Sequence, residues 1–281
     1  MASASANGIQ LEWESVGDPA DPAFLLISGS GAQLLFWQEA FCEELAARGF
    51  YVVRFDNRDV GLSTRFDELE PPPIPAVRAG ELAPPYTLDD MADDTVGLLD
   101  ALGIPAAHLF GISMGGYIAQ LVAIRRPERA LSLISMGSGP GGSDNVFGPR
   151  PPDADPSVDP LEARVAEIRS MSSGRYFDEE RVRSAVARAM ERARSPFGAM
   201  RQAAAIHAAP SRLAALAELQ VPSLLIHGDL DPVLLLESAH RTIAAAPATK
   251  LLLLEGIGHE LPPEIWPLVL DAITEHAATA A

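Results

Sequence analysis

The stretch Gly111-Ile112-Ser113-Met114-Gly115 sets one hydroxyl among glycines, between an apolar run and a helix-like segment. A serine held on so tight a corner suits nucleophilic attack, because the strained turn exposes its hydroxyl beside a helix N-terminus. A serine is a weak nucleophile unless a histidine takes its proton and a carboxylate steadies that histidine. The chain supplies both downstream, in "LLIHGDLDPV" with Asp229 and Asp231 and in "LLLLEGIGHELPP" with His259. Of the 6 histidines, His259 alone sits in a loop directly after the last strand-like run. His227 and His108 fall within strands, His240 and His276 on helices expected to face solvent, and His207 in a helical block. For the carboxylate the residues leave Asp231 and Asp229 open, with Glu255 behind them.

Attack on an acyl carbon also creates an oxyanion, which preorganised N–H donors must meet. Met114, directly after the serine, offers one. The other is expected from Ser28-Gly29-Ser30-Gly31, with Ser30 as the donor. Ser28, Gly29, Trp37, Met171, Phe197, Met200 and His207 are candidates for the pocket wall, Trp37 equally for the core.

Several elements must hold these residues. "AFLLIS", "FYVVRFD", "AHLFGI", "ALSLISMG", "VPSLLIHG" and "TKLLLLEG" read as short buried strands, and "GIQLEWESVG" alternates like an edge strand. Helical spacing covers Phe36 to Arg48, the segment after Thr87 as N-cap, the run after Ser113, and two later segments. Strands and helices alternate, which predicts an α/β protein with a mostly parallel eight-stranded sheet and helices on both faces. The alternation breaks once. From Ser138 to Pro160 the chain is rich in Gly, Pro and Asp, and from Leu161 to Ala209 it reads as two or three helices. The expectation is a core domain of residues 1–137 and 213–281, with 138–212 inserted as a helical cap over the carboxyl edge of the sheet. The Pro-rich run Asp67 to Pro85 reads as surface loop, and Asp56 and Arg58 as residues that hold loops together.

The totals exclude several classes. The net charge of −17 would repel a phosphate backbone, so no nucleic-acid partner is expected. No apolar run is long enough for a membrane span, and the start lacks a secretory pattern. The single cysteine, Cys42, forms no internal disulfide. These features point to a cytoplasmic protein, and they permit a homodimer. Lys250 is the only lysine and opens an apolar run, which argues against Schiff-base chemistry. No histidine pair has H-E-x-x-H spacing, so no metal site is expected.

"FDNRDVGLST", "YTLDDMADDTVGLLDALGI", "GISMGGYIAQ" and "GIGHELPPEIW" together resemble the α/β-hydrolases over nearly the whole chain. They look most like the bacterial esterase branch that includes aclacinomycin methylesterase. The resemblance implies an α/β-hydrolase fold, hydrolysis of small to medium apolar carboxylic esters without a cofactor, and a small-molecule ester as the partner. It implies Ser113, Asp231 and His259 as triad and Ser30 and Met114 as oxyanion donors, and it favours Asp231 over Asp229. Ser28 and Ser30 stand where the branch is more apolar, and Leu235 where proline is common. Cofactor-free haloperoxidases or perhydrolases, amidases and lactonases share the residues. A non-catalytic binding protein on this fold is the reading from another class.

Overall fold

The computed structural model describes residues 2–149 and 157–280. Of the Gly-, Pro- and Asp-rich run at 138–160, residues 150–156 lie outside the described residues. The chain forms β1 (Ala2–Ala6), β2 (Ile9–Val16), β3 (Ala23–Ile27), α1 (Glu39–Ala46), β4 (Tyr51–Phe55), α2 (Ile74–Arg78), α3 (Leu88–Ala101), β5 (Ala107–Ile112), α4 (Met114–Arg125) and β6 (Ala130–Met136). Then come α5 (Pro160–Met171), α6 (Glu179–Arg192), α7 (Gly198–Ala208), α8 (Leu213–Ala217), β7 (Ser223–Gly228), α9 (Leu236–Ala245), β8 (Lys250–Leu254) and α10 (Trp266–Ala278).

One 8-stranded sheet runs in the order β1-β2-β4-β3-β5-β6-β7-β8. The strands from β4 through β8 pair in parallel, and β2 lies antiparallel to both its neighbours. The expected α/β architecture is therefore the observed one. Successive strand side chains point to opposite faces, so a strand buried on both must be apolar throughout. In β3, Leu25 and Ile27 pack with α3 and α4 residues such as Leu98 and Ile118. Phe24 and Leu26 pack on the other face with Phe41 of α1 and Trp266 and Val269 of α10.

The structure differs from the sequence reading in four places. The edge strand is β1, not "GIQLEWESVG": Ala2–Ala6 pairs along Ile9–Trp13 and makes β2 internal. Its Ala-Ser composition carries no apolar alternation. The predicted helix from Phe36 is a short 3-10 turn at Leu34–Phe36 followed by α1. The Pro-rich stretch contains α2, with a proline in its first turn. His276 is buried at 3% exposure, against the expected solvent-facing position. Thr87 caps α3 as expected: its Oγ1 accepts from Asp90 N at 3.1 Å, and Asp90 Oδ2 accepts from Thr87 N at 2.8 Å.

Helices α5 to α8 occupy the chain between β6 and β7, with no strand among the described residues there. Buried charges join them to the sheet. Arg201 of α7 meets Asp59, after β4, through Nε–Oδ2 at 2.6 Å and Nη2–Oδ1 at 2.7 Å, and neither side chain has any exposure. Tyr86 donates to the same Oδ2 at 2.8 Å. Arg192, the last residue of α6, reaches Asp56 Oδ2 at 2.7 Å, while Leu34 N and Leu62 N also donate to Asp56. Arg58 forms a two-point pair with Asp94 of α3 at 2.6 and 2.7 Å. Asp56 and Arg58 thus hold loops together.

Two outcomes follow from this burial. Replacing Arg201 with leucine strands the Asp59 carboxylate in the interior, so stability should fall by about 3–5 kcal/mol in urea unfolding. His108, His227 and His276 are also buried, and burial pushes all three below the ordinary histidine range, His108 to about 4. The unfolded chain therefore binds more protons than the folded one below about pH 6.5. Stability should be fully present above that pH and fall as pH drops toward 4. A urea midpoint lower at pH 5.5 than at pH 7.5 is the expected result, and equal midpoints would exclude this linkage.

Candidate active site

Strand β5 ends at Ile112 and α4 begins at Met114, leaving one residue to make the turn. That residue, Ser113, has φ 54° and ψ −119°. Such backbone costs on the order of 1–3 kcal/mol and persists only where its surroundings enforce it. Here Ser113 N donates to Met136 O at 2.8 Å, at the end of β6, and Ser138 Oγ donates to Ser113 O at 2.6 Å. The flanking glycines are steric requirements. A Cβ on Gly111 would strike the Gly115 carbonyl, and one on Gly115 would strike the Ile27 carbonyl at the end of β3. The turn is therefore packed directly against the loop that follows β3. A Cβ built on Gly29 of that loop would lie 3.3 Å from Ser113 Cβ.

Asp231 follows β7 and is 3% exposed. Its Oδ1 accepts from Val233 N at 2.8 Å and Leu234 N at 2.9 Å, which fixes the carboxylate and leaves Oδ2 free to turn elsewhere. Oδ2 lies 2.6 Å from His259 Nδ1. With the carboxylate ionised, Nδ1 carries the proton, and Nε2 keeps its lone pair. The ring also lies beside Gly137: a Cβ there would be 3.1 Å from His259 Cε1 and Nδ1. Ser113 N is bonded to Met136, so the serine and the histidine flank the same two residues at the end of β6. His259 N donates to Met171 O at 2.8 Å, which ties its loop to the end of α5.

Asp229 stands elsewhere. Its Oδ1 accepts from Gly256 N at 2.7 Å and joins the β7 and β8 loops. Glu255 is exposed. His227 has no exposure, lies 2.8 Å from Leu234 O through Nε2 and 3.8 Å from Asp231 Oδ2, and so backs the aspartate loop. The structure thus brings Ser113, Asp231 and His259 to one end of β5, β7 and β8.

At the loop after β3, Ser30 Oγ donates to Ala199 O of α7 at 3.3 Å. Gly31 N donates to Gln202 Oε1 at 2.7 Å. Ser28 has no exposure, and its hydroxyl has no hydrogen-bond partner among the described residues. Met114 N opens α4, where the first N–H groups have no intrahelical acceptor.

The pocket candidates divide. Trp37 is a core residue, 1% exposed, with its ring against Phe41 and Phe110 at centroid distances of 5.8 and 4.9 Å; it forms no pocket wall. Met171 is half-buried beside the His259 loop. Phe197 and Met200, at the start of α7, are 43% and 52% exposed and form no packed roof. His207 is half-buried, with Arg78 at 3.2–3.3 Å and the Phe147 ring at 5.4 Å. Gln202 and Gly137 escaped the sequence reading. Gln202 lies in the alanine-rich "RQAAAIHAA", where nothing marks one polar residue as facing inward.

A family profile described as alpha/beta hydrolase fold matches residues 22–264. The chain belongs to this family. It is an α/β-hydrolase. Rhodomycin D methylesterase DauP of Streptomyces sp. (strain C5) is 30% identical over 298 residues, covering 95% of this chain and 94% of that protein. Rhodomycin D methylesterase DnrP of Streptomyces peucetius matches to the same extent. The enol-lactonase from Burkholderia xenovorans LB400 shares the fold at a TM-score of 0.76 and 21% identity, over 99% of this chain and 100% of that one. The esterase resemblance of the sequence is therefore matched by relatives spanning nearly all of this α/β-hydrolase. No helix among the described residues is long and apolar enough to cross a membrane.

The close packing at the turn gives a direct test. Gly115→Ala forces backbone against backbone, so the α/β-hydrolase should lose about 1–3 kcal/mol of stability in urea unfolding. Wild-type stability would show that β3 and α4 are free to separate.

Proposed function

We propose that this chain is a serine hydrolase of carboxylic esters that works through an acyl-enzyme. The observation that carries the reading is the buried Asp231 carboxylate 2.6 Å from His259 Nδ1, at the same end of the sheet as a serine held at positive φ, with Gly137 against the histidine ring and Met136 bonded to the serine N–H. In this reading Ser113 Oγ attacks the ester carbonyl carbon while His259 Nε2 takes its proton. The carbonyl π electrons move to oxygen, and Met114 N–H and Ser30 N–H receive that charge. As the tetrahedral intermediate collapses, the ester C–O bond breaks and His259 returns the proton to the leaving alcohol. Water then repeats the sequence on the acyl-enzyme, releasing a carboxylic acid and restoring Ser113.

Relatives named as methylesterases support a methyl ester as substrate, with methanol as the leaving alcohol. Small to medium apolar acyl groups remain the substrate class that the resemblance implies, and Phe197 and Met200, exposed and flanking Ala199 in the chain, are the apolar residues to vary in testing it. Residues 138–212 act as the cap, and α5 to α7 lie within that stretch.

The test is a fluorophosphonate probe followed by mass spectrometry, with p-nitrophenyl esters of increasing acyl length as substrates. Label at Ser113 with turnover is expected, and the length profile sizes the pocket. Ser113→Ala should lower kcat at least 10⁴-fold, a magnitude on the order of that seen when such a nucleophile is removed. Asp231→Asn should cost roughly 10²–10⁴-fold, and Asp229→Asn less than about tenfold. Wild-type turnover by Ser113→Ala would overturn the mechanism, and the reverse ranking of the aspartates would move the acid to Asp229.

A further inference from the structure

Gln202 is fully buried on α7, and its carboxamide bridges two loops of the sheet domain. Oε1 accepts from Gly31 N at 2.7 Å, and Nε2 donates to Arg58 O at 2.8 Å. Both bonds go to backbone, and a buried amide gains most when its acceptor and its donor are both matched. Gly31 follows Ser30, whose hydroxyl donates to Ala199 O one turn earlier on the same helix. Helix α7 therefore holds two consecutive residues of the loop after β3. On the sheet side, that loop is pressed against Ser113 through Gly29, with little slack.

Gly31 also needs its neighbour's restraint. It has φ 70°, and its Cα faces Ala199 so closely that a Cβ would lie 2.9 Å from Ala199 Cβ. A loop of small residues in such backbone has many alternatives once its anchors are removed. The anchor is itself anchored. Arg201, next to Gln202, is locked to Asp59, and Arg58 O, the acceptor of Gln202 Nε2, lies one residue before Asp59.

We propose that Gln202 is a positioning residue for the oxyanion hole: by occupying the Gly31 N–H, it aims the preceding Ser30 N–H at the developing oxyanion. This rests on the ester-hydrolase reading above. The helical block then supplies part of the catalytic frame as well as covering it. The Gly31 N–H is excluded as an oxyanion donor because Gln202 already holds it. Gln202 has no exposure and is bonded to backbone on both sides, so in this proposal its loss acts on the transition state more than on ground-state binding.

The experiment compares full-length wild type with Gln202→Met, which keeps the volume and lacks both polar groups. Gln202→Asn, a milder change in case the first does not fold, keeps the amide but is one methylene too short to span both partners. Steady-state kinetics on p-nitrophenyl butyrate would be paired with inhibition by an aryl trifluoromethyl ketone, which places an oxyanion in the hole. Either folded variant should lose ten- to hundredfold in kcat with KM within about threefold, and the ketone should weaken in parallel with kcat/KM. Arg183→Gln, which breaks exposed ion pairs on α6, should match wild type. Wild-type kcat and ketone affinity in a folded Gln202 variant would overturn the proposal, as would a loss confined to KM. Inactive wild type, or no label at Ser113, would instead bring down the ester-hydrolase reading itself.

Discussion

The site depends on one backbone constraint: the chain must pass from β5 to α4 in a single residue. That residue takes φ 54°, which an L side chain avoids, and the turn survives because its neighbours leave it no other path. Met136 O and Ser138 Oγ hold its two polar backbone groups, and Gly111 and Gly115 remove the atoms that would push β5, α4 and β3 apart. The close approach of β3 brings Ser28 to Gly31 to the serine, and the close approach of β6 brings Gly137 to the His259 ring. The loops thus converge because the strands beneath them cannot separate.

The parts legible in the sequence are those with a local signature. The buried strands announce themselves as apolar runs, and the serine turn by its glycines. Asp231 and Asp229 lie two residues apart in one loop, and residue type and spacing leave both open, with only the family resemblance favouring Asp231. What separates them is direction: Asp231 Oδ1 is held by its own loop while Oδ2 reaches His259, whereas Asp229 is bonded to Gly256. β1 has no signature because Ala-Ser-Ala-Ser-Ala buries almost nothing, and its strand form comes from pairing with β2. Trp37 is open between core and pocket in the sequence, and His276, expected to face solvent, is buried, for a similar reason. An aromatic after a loop, or a histidine on a helix, faces the core or solvent according to tertiary packing, which local periodicity does not encode.

The helical block illustrates the opposite limit. Its helices are readable, yet its attachment is made by single polar residues spaced far apart in the chain. Arg192, Arg201 and Gln202 reach Asp56, Asp59 and Gly31, over separations of 136, 142 and 171 residues. Buried pairs such as Arg201–Asp59 are a poor source of net stability, since desolvating both charges offsets much of their attraction. Their effect lies in selection among packings. A shift of α7 would leave two buried charges and two backbone groups unpaired at once, so displaced arrangements of the helix are disfavoured far more than the native one is favoured.

This distribution of anchors limits how the helical block can move. Met171 O is bonded to His259 N, Ser173 to Glu260, Arg192 to Asp56, and Ala199 and Gln202 to the loop after β3. The anchors surround the serine on the histidine side and on the side of the loop after β3. A hinged lid that lifted as one body would break all of them and strip the loops of the contacts that shape them. Among the described residues, motion that leaves these anchors intact is confined to the stretches between them, chiefly the body of α5 and the turns of α6 that face it. There the ion pairs are solvent-exposed and contribute little, as at Arg183 with Glu162 and Glu179. Those exposed pairs lie within α5 and α6, whereas the anchors hold the His259 loop and the loop after β3 directly.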